Sequence, residues 1–157
     1  MKLEPITPNG VNKIKKDIAQ LNDELNVLRE KRNIDYVTPL PEDTDYTFLL
    51  EEMTKIENNI QELKRALASS SIIDPSDFNT NTVKFGLTVT LVHVENENKK
   101  LVYTLVGPLE ANISENKISV RCKVGGSLLG KELDDEIDIV GEGYYISDIE
   151  NSYKWIL

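Results

Sequence analysis

The sequence predicts an α+β fold: an antiparallel coiled-coil hairpin in residues 1–74, then a small antiparallel β domain in residues 78–157. Three observations carry this. Two apolar seams run at coiled-coil spacing, a proline-bearing break separates them, and beyond residue 75 the pattern changes to short β-branched runs of period two.

Thr7-Pro8 opens the first helix. Threonine is a good N-cap, and proline is tolerated at the first helical position because the N–H it lacks would have no partner there. Val11, Ile14, Ile18, Leu21, Leu25 and Leu28 follow in steps of 3, 4, 3, 4 and 3, the a/d spacing of a coiled coil. Their neighbours are mostly Lys, Asp, Glu, Asn and Gln, so the seam is narrow and needs one partner rather than a whole core. Leu49, Met53, Ile56, Ile60, Leu63 and Leu67 supply it in steps of 4, 3, 4, 3 and 4. Between the seams, Pro39 and Pro41 cannot continue a helix. The result is a hairpin whose tip spans about residues 34–47 and whose first helix, of roughly 26 residues, is about 40 Å long. No third apolar stripe is present in this half to make a larger bundle.

Ser69-Ser70-Ser71 and Ile73-Asp74-Pro75 end the second helix and form a linker. The segments 83–85, 88–94, 100–106, 118–120, 136–140 and 143–149 read as strands, with a polar hairpin turn at 95–98. Gly125-Gly126-Ser127 reads as a loop leading into a short helix capped by Gly130.

The net charge of −9 repels phosphate backbones, and both halves share it. Residues 1–75 hold 10 Lys and Arg against 14 Asp and Glu, and residues 76–157 hold 8 against 13. Independent DNA binding is therefore not expected. The single cysteine, Cys122, cannot form an internal disulfide. It reads as a small buried or half-buried residue, since no Cys/His pairing is visible. The sequence has neither a secretory leader nor a run of about 18 apolar residues to span a membrane, so a cytoplasmic protein with no membrane partner is expected.

Seven segments in order carry a family resemblance: Ile6-Thr7-Pro8-Asn9-Gly10, Ile73-Asp74-Pro75, Val83-Lys84-Phe85-Gly86-Leu87-Thr88-Val89-Thr90-Leu91, Tyr103-Thr104-Leu105-Val106-Gly107, Ile118-Ser119-Val120, Leu128-Leu129-Gly130-Lys131 and the acidic turn Asp134-Asp135-Glu136. Over nearly its whole length the chain resembles the GreA/GreB transcript-cleavage factors. The resemblance implies that the β domain is FKBP-like and docks on RNA polymerase at the rim of its secondary channel. The hairpin would enter the channel and meet the nascent RNA 3′ end indirectly. It further implies an accessory factor rather than an enzyme in its own right. Such a factor has no intrinsic cofactor and acts on the Mg²⁺ of the polymerase active site.

The tip reads Pro39-Leu40-Pro41-Glu42-Asp43-Thr44-Asp45-Tyr46. Set against the family's Asp-Leu-Ser-Glu-Asn-Ala-Glu-Tyr, Glu42 takes the place of the functional Glu and Pro39 that of the functional Asp. Asp43 stands where the family has Asn. Glu42, Asp43 and Asp45 are thus the candidate metal-assisting carboxylates, with Glu42 and Asp43 as shared Mg²⁺ ligands, because Mg²⁺ takes hard oxygen ligands. Spacing alone supports a plainer reading, that these are solvated acids at a helix N-terminus. The resemblance favours engagement with the channel metal, and the missing Asp leaves cleavage and plain modulation as competing outcomes.

Tyr46 reads either as a contact to polymerase or RNA or as a residue that caps the hairpin by packing on its helix, and Lys123, Leu128, Gly130 and Lys131 are the other candidate polymerase contacts; the family's cationic docking position is here Gly126, so Lys123 or Lys131 would supply the charge. His93 reads as a structural strand residue. Lys13, Lys15, Lys16, Arg29, Lys31 and Arg32 read either as an RNA-facing side of the hairpin or as an ordinary solvated face. Two other functions stay open. One is a prolyl isomerase or chaperone, built around aromatics such as Phe78, Phe85, Tyr103 and Tyr144. The other is a structural coiled-coil adaptor.

Overall fold

A computed structural model describes residues 3–38, 40 and 42–156. They form two compact units, one comprising 11–69 and the other the residues up to Gly10 together with those from Ser70 onward. The sequence-based boundary at residue 74 falls elsewhere, and it assigns the first ten residues to the helical half.

The helical unit is built from α1 (Pro8–Asp35) and α2 (Thr44–Ala68). At 28 residues, α1 is about 42 Å long. Leu25, Leu49, Met53 and Ile60 are the buried seam, with Ile18, Leu21, Leu28, Tyr36 and Ile56 packed against them. Arg29 pairs with Glu57 across the seam at 3.6 Å, and Lys13 pairs with Asp17 along α1 at 3.2 Å. The side chains of both pairs are largely solvated, so they add little to the stability that the seam supplies. No helix among the described residues is long and apolar enough to cross a membrane.

The β unit begins with a pairing that sequence patterning did not suggest. The three-residue strand β1 (Glu4–Ile6) lies parallel to β2 (Ser70–Ile72), with Ile6 opposite Ile72. Gly107 makes room for it, since a Cβ there would fall 1.8 Å from the Pro5 carbonyl oxygen. The main sheet holds β3 (Thr88–His93), β4 (Lys100–Val106), β5 (Lys117–Ser119), β6 (Glu136–Ile139) and β7 (Glu142–Glu150) in the order β5-β4-β3-β7-β6. Every pairing is antiparallel except β4 with β5, so the sheet is mixed. Leu87, Val89, Leu91, Leu105, Leu128 and Ile146 are completely buried at the centre of its core.

Two local expectations fail. Residues 83–85 form no strand: Val83 exchanges two 2.8 Å backbone bonds with Gly130 and Lys131, and the chain then turns at Gly86, which needs its positive φ of 86°. The short helix α3 (Lys123–Leu128) contains Gly125 and Gly126 rather than following them. Gly125 is required there because a Cβ would meet the Ser119 carbonyl oxygen at 2.1 Å.

Candidate functional site

The tip of the hairpin is built from the ends of its helices. α1 stops at Asp35, and the Tyr36 N–H still reaches the Arg32 carbonyl at 3.1 Å. At the other side the Asp43 N–H donates to the Leu40 carbonyl at 3.0 Å, closing a turn, and α2 then starts. Asp43 is its N-cap: the backbone is extended and Oδ1 accepts from the Tyr46 N–H at 3.1 Å. The Asp43 carbonyl takes both the Thr47 N–H (3.2 Å) and the Thr47 hydroxyl (3.1 Å). This is what an acid before the first turn does for the unpaired N–H groups of a helix.

The three candidate carboxylates therefore differ. Glu42 is exposed and precedes the cap. Asp45 is exposed in the first turn of α2. Asp43 is half-buried, with one oxygen committed to the cap. Among the described residues no three His, Cys, Asp or Glu stand together as a metal cage. Exposed carboxylates of this kind suit a hard cation whose remaining ligands come from elsewhere, which is the usual way Mg²⁺ is held. Pro39 and Pro41 lie outside the described residues, so the sequence argument about the missing carboxylate rests on residue identity alone.

Tyr46 is half-buried and its ring lies against that of Tyr36, with centroids 5.2 Å apart and planes 39° from parallel. Sequence reasoning singled out Tyr46 and missed Tyr36, which lies beyond the last seam leucine. Burial, followed by the charges of Asp43, Asp45 and Asp35, holds the Tyr36 phenol above its usual pKa of 10.0.

The second candidate surface is on the β unit. Lys123 is exposed at the start of α3, and Gly130 is exposed with a φ of 82°. Lys131 is half-buried, its carbonyl spent on Val83. Leu128 does not belong with them, because it is 0% exposed and its side chain is core. Cys122 is exposed rather than buried, and its sulfur caps α3 by accepting from the Gly125 N–H at 3.3 Å. His93 is structural: Nδ1 accepts from the Glu95 N–H at 3.1 Å and the ring meets Tyr144 edge-on at 5.1 Å. Phe78, Phe85 and Tyr103 pack on the core and Tyr144 is inside it, so these aromatics build the sheet's interior.

Comparison with known proteins places this architecture in a family. Residues 79–151 match the family model for the C-terminal part of the GreA/GreB transcription elongation factors. The GreA elongation factor of Thermodesulfovibrio yellowstonii is 34% identical over 137 residues, covering 86% of each protein. That of Syntrophus aciditrophicus is 34% identical over 142 residues, covering 88% of this chain and 87% of its own. Among solved structures, GreA factor homolog 1 of Thermus thermophilus superposes with a TM-score of 0.42 at 19% identity, over 96% of this chain and 99% of that one. This chain belongs to the GreA/GreB family and is a Gre-like regulator of transcription elongation.

Proposed function

We propose that this protein binds a bacterial-type RNA polymerase, passes its hairpin into the secondary channel and modulates the active site there. The carrying observation is the state of the tip: Glu42 is exposed beside a capped helix start, free to ligate, while Asp43 is tied to its cap. Glu42 is then the carboxylate directed at the polymerase's Mg²⁺, and Asp45 adds charge from the first turn of α2. Glu42, with Asp45 beside it, would help hold a second divalent cation next to the polymerase's own, and two such metals would stabilise the attacking and leaving oxygens of an in-line phosphoryl displacement. With proline at position 39 and Asp43 occupied, the chain brings one free ligand where the family pattern brings two, which supports modulation over strong stimulation of cleavage. Lys123 and Lys131 serve the docking surface of the β unit. The nascent RNA 3′ end is met only through the polymerase, and the net charge of −9 supports the absence of direct DNA binding. A cytoplasmic location follows from this partner.

The test is transcription on a stalled, backtracked complex, read for RNA length and for extension rate. The protein should change the extension rate with little shortening of RNA, and Glu42→Ala should abolish the change. Rapid shortening that depends on Glu42 would turn the reading to cleavage stimulation. No effect of the protein on either readout would overturn it.

A further inference from the structure

Resting on the reading of the tip as the acting end, we infer that Tyr36 is its positioning residue: its ring, seated on the hairpin seam and set against Tyr46, fixes the turn that carries Glu42.

Val37, Thr38, Leu40 and Glu42 are all exposed. Tyr36 is half-buried, and it packs against the cluster of Leu25, Leu49, Met53 and Ile60. Its ring lies against that of Tyr46 in the first turn of α2, with centroids 5.2 Å apart. The partner ring belongs to Tyr46, whose N–H donates to the Asp43 carboxylate. A continuous set of contacts therefore runs from the dry seam through two rings to the cap, and Glu42 is the residue immediately before that cap. Closing a loop at its base removes most of the conformations its middle can visit. A ligand delivered to a metal loses effect when misplaced by about 1 Å, so restraint of the turn is restraint of Glu42.

The experiment uses the full chain on a stalled elongation complex, titrated to saturation. Tyr36→Leu keeps an apolar side chain on the seam but removes the ring face. Its maximal effect should fall roughly three- to tenfold, the worth of an aromatic pair. The half-saturating concentration should not change, because docking belongs to the β unit. Tyr36→Phe should keep the effect within about twofold, since the ring remains. Tyr46→Leu should give the same loss as Tyr36→Leu, and the double variant should lose no more than either single variant. Helical circular dichroism is recorded for each, and should Tyr36→Leu lose that signal, Tyr46→Leu carries the test. Wild-type behaviour of Tyr36→Leu alongside an inactive Glu42→Ala would overturn the inference while sparing the functional reading. So would a rise in half-saturating concentration with an unchanged maximum, or damage from Tyr36→Phe equal to that from Tyr36→Leu. An inactive tip, seen as a fully active Glu42→Ala, would remove the functional reading and this inference with it.

Discussion

Replacing Glu110 with alanine should be among the most damaging single changes on the surface of the β unit. The Thr7 N–H donates to Glu110 Oε1 and the Thr7 hydroxyl donates to Oε2, each at 2.6 Å. Thr7 is 2% exposed, so neither donor has ready access to water. The Gly10 N–H in turn donates to the Thr7 hydroxyl oxygen at 3.1 Å, which makes Glu110 the outer end of the N-terminal cap of α1. Stranding a buried donor costs about 1–3 kcal/mol, and bonds to a charged acceptor lie towards the upper part of the scale. The hydroxyl can rotate to a second acceptor, so the whole loss is about 2–4 kcal/mol. For a chain of this size that lowers Tm by about 5–15 °C. Glu110→Gln should lose only about 1 kcal/mol, because an amide can accept from the N–H and donate to the hydroxyl oxygen. A second variant probes the same contact from the other side. A Cβ at Gly10 would lie 2.4 Å from the Glu110 carboxyl carbon, so Gly10→Ala displaces the flexible carboxylate from Thr7. Its cost should nearly vanish in a Glu110→Ala background. Thermal and urea unfolding followed by circular dichroism measures the four variants against the wild type. Glu110→Ala within about 0.5 kcal/mol of the wild type would refute the reasoning, because that is the range of an inert surface change.

Other outcomes follow from the same structure. Gly107→Ala drives a methyl group into the Pro5 carbonyl and should detach β1, costing about 2 kcal/mol or more; hydrogen exchange at residues 4–6 and 70–72 should rise, and wild-type protection there would contradict the clash. Asp43→Ala removes the α2 cap and should cost about 1 kcal/mol, whereas Asp43→Asn keeps the cap and should keep both stability and activity; loss of activity in a stable Asp43→Asn would instead make Asp43 a ligand. Bonds from the Ser76 hydroxyl and N–H, and from Trp155 Nε1 at 3.2 Å, hold the Asp74 carboxyl below its usual 3.8. A depressed carboxyl contributes stability that is complete above the unfolded value and is lost as pH falls through the folded one. The fluorescence of Trp155, the one tryptophan in the sequence, should therefore hold steady on acidification until the pH is below about 3.8; a midpoint near pH 5, or an unchanged step in Asp74→Asn, would count against the bond.

The hairpin was legible because a narrow seam writes its own period. Steps of three and four survive in any context, and the proline pair marks the break between α1 and α2. The longer strands were legible from β-branched alternation. β1 and β2 were not, because Glu4-Pro5-Ile6 is too short to show a period and its parallel partner lies far along the chain. β5 was read as a strand, but its parallel pairing with β4 depends on a crossover that no local pattern encodes. Residues 83–85 have strand-like composition, yet the positive φ at Gly86 and the bonds to Gly130 and Lys131 hold them outside the sheet as a connection that ends in a turn. At the tip, the identities of Glu42, Asp43 and Asp45 were visible, but which of them stays uncommitted was not. The answer depends on which residue caps α2, a matter of one hydrogen bond. Leu128 misled because a motif marks a segment and does not say which of its side chains face inward. Tyr36 was invisible because its value comes from Tyr46, across the turn.

Placing a photoreactive side chain at position 42 tests most directly whether the tip reaches the polymerase's catalytic centre. The full-length protein is bound to a stalled elongation complex and irradiated, with the same group at position 123 as a control for docking. Insertion of the hairpin predicts that position 42 labels the catalytic segment of the polymerase or the RNA 3′ end, while position 123 labels the outer rim of the channel. Label from position 42 on the polymerase exterior alone, with position 123 still attached at the rim, would contradict it.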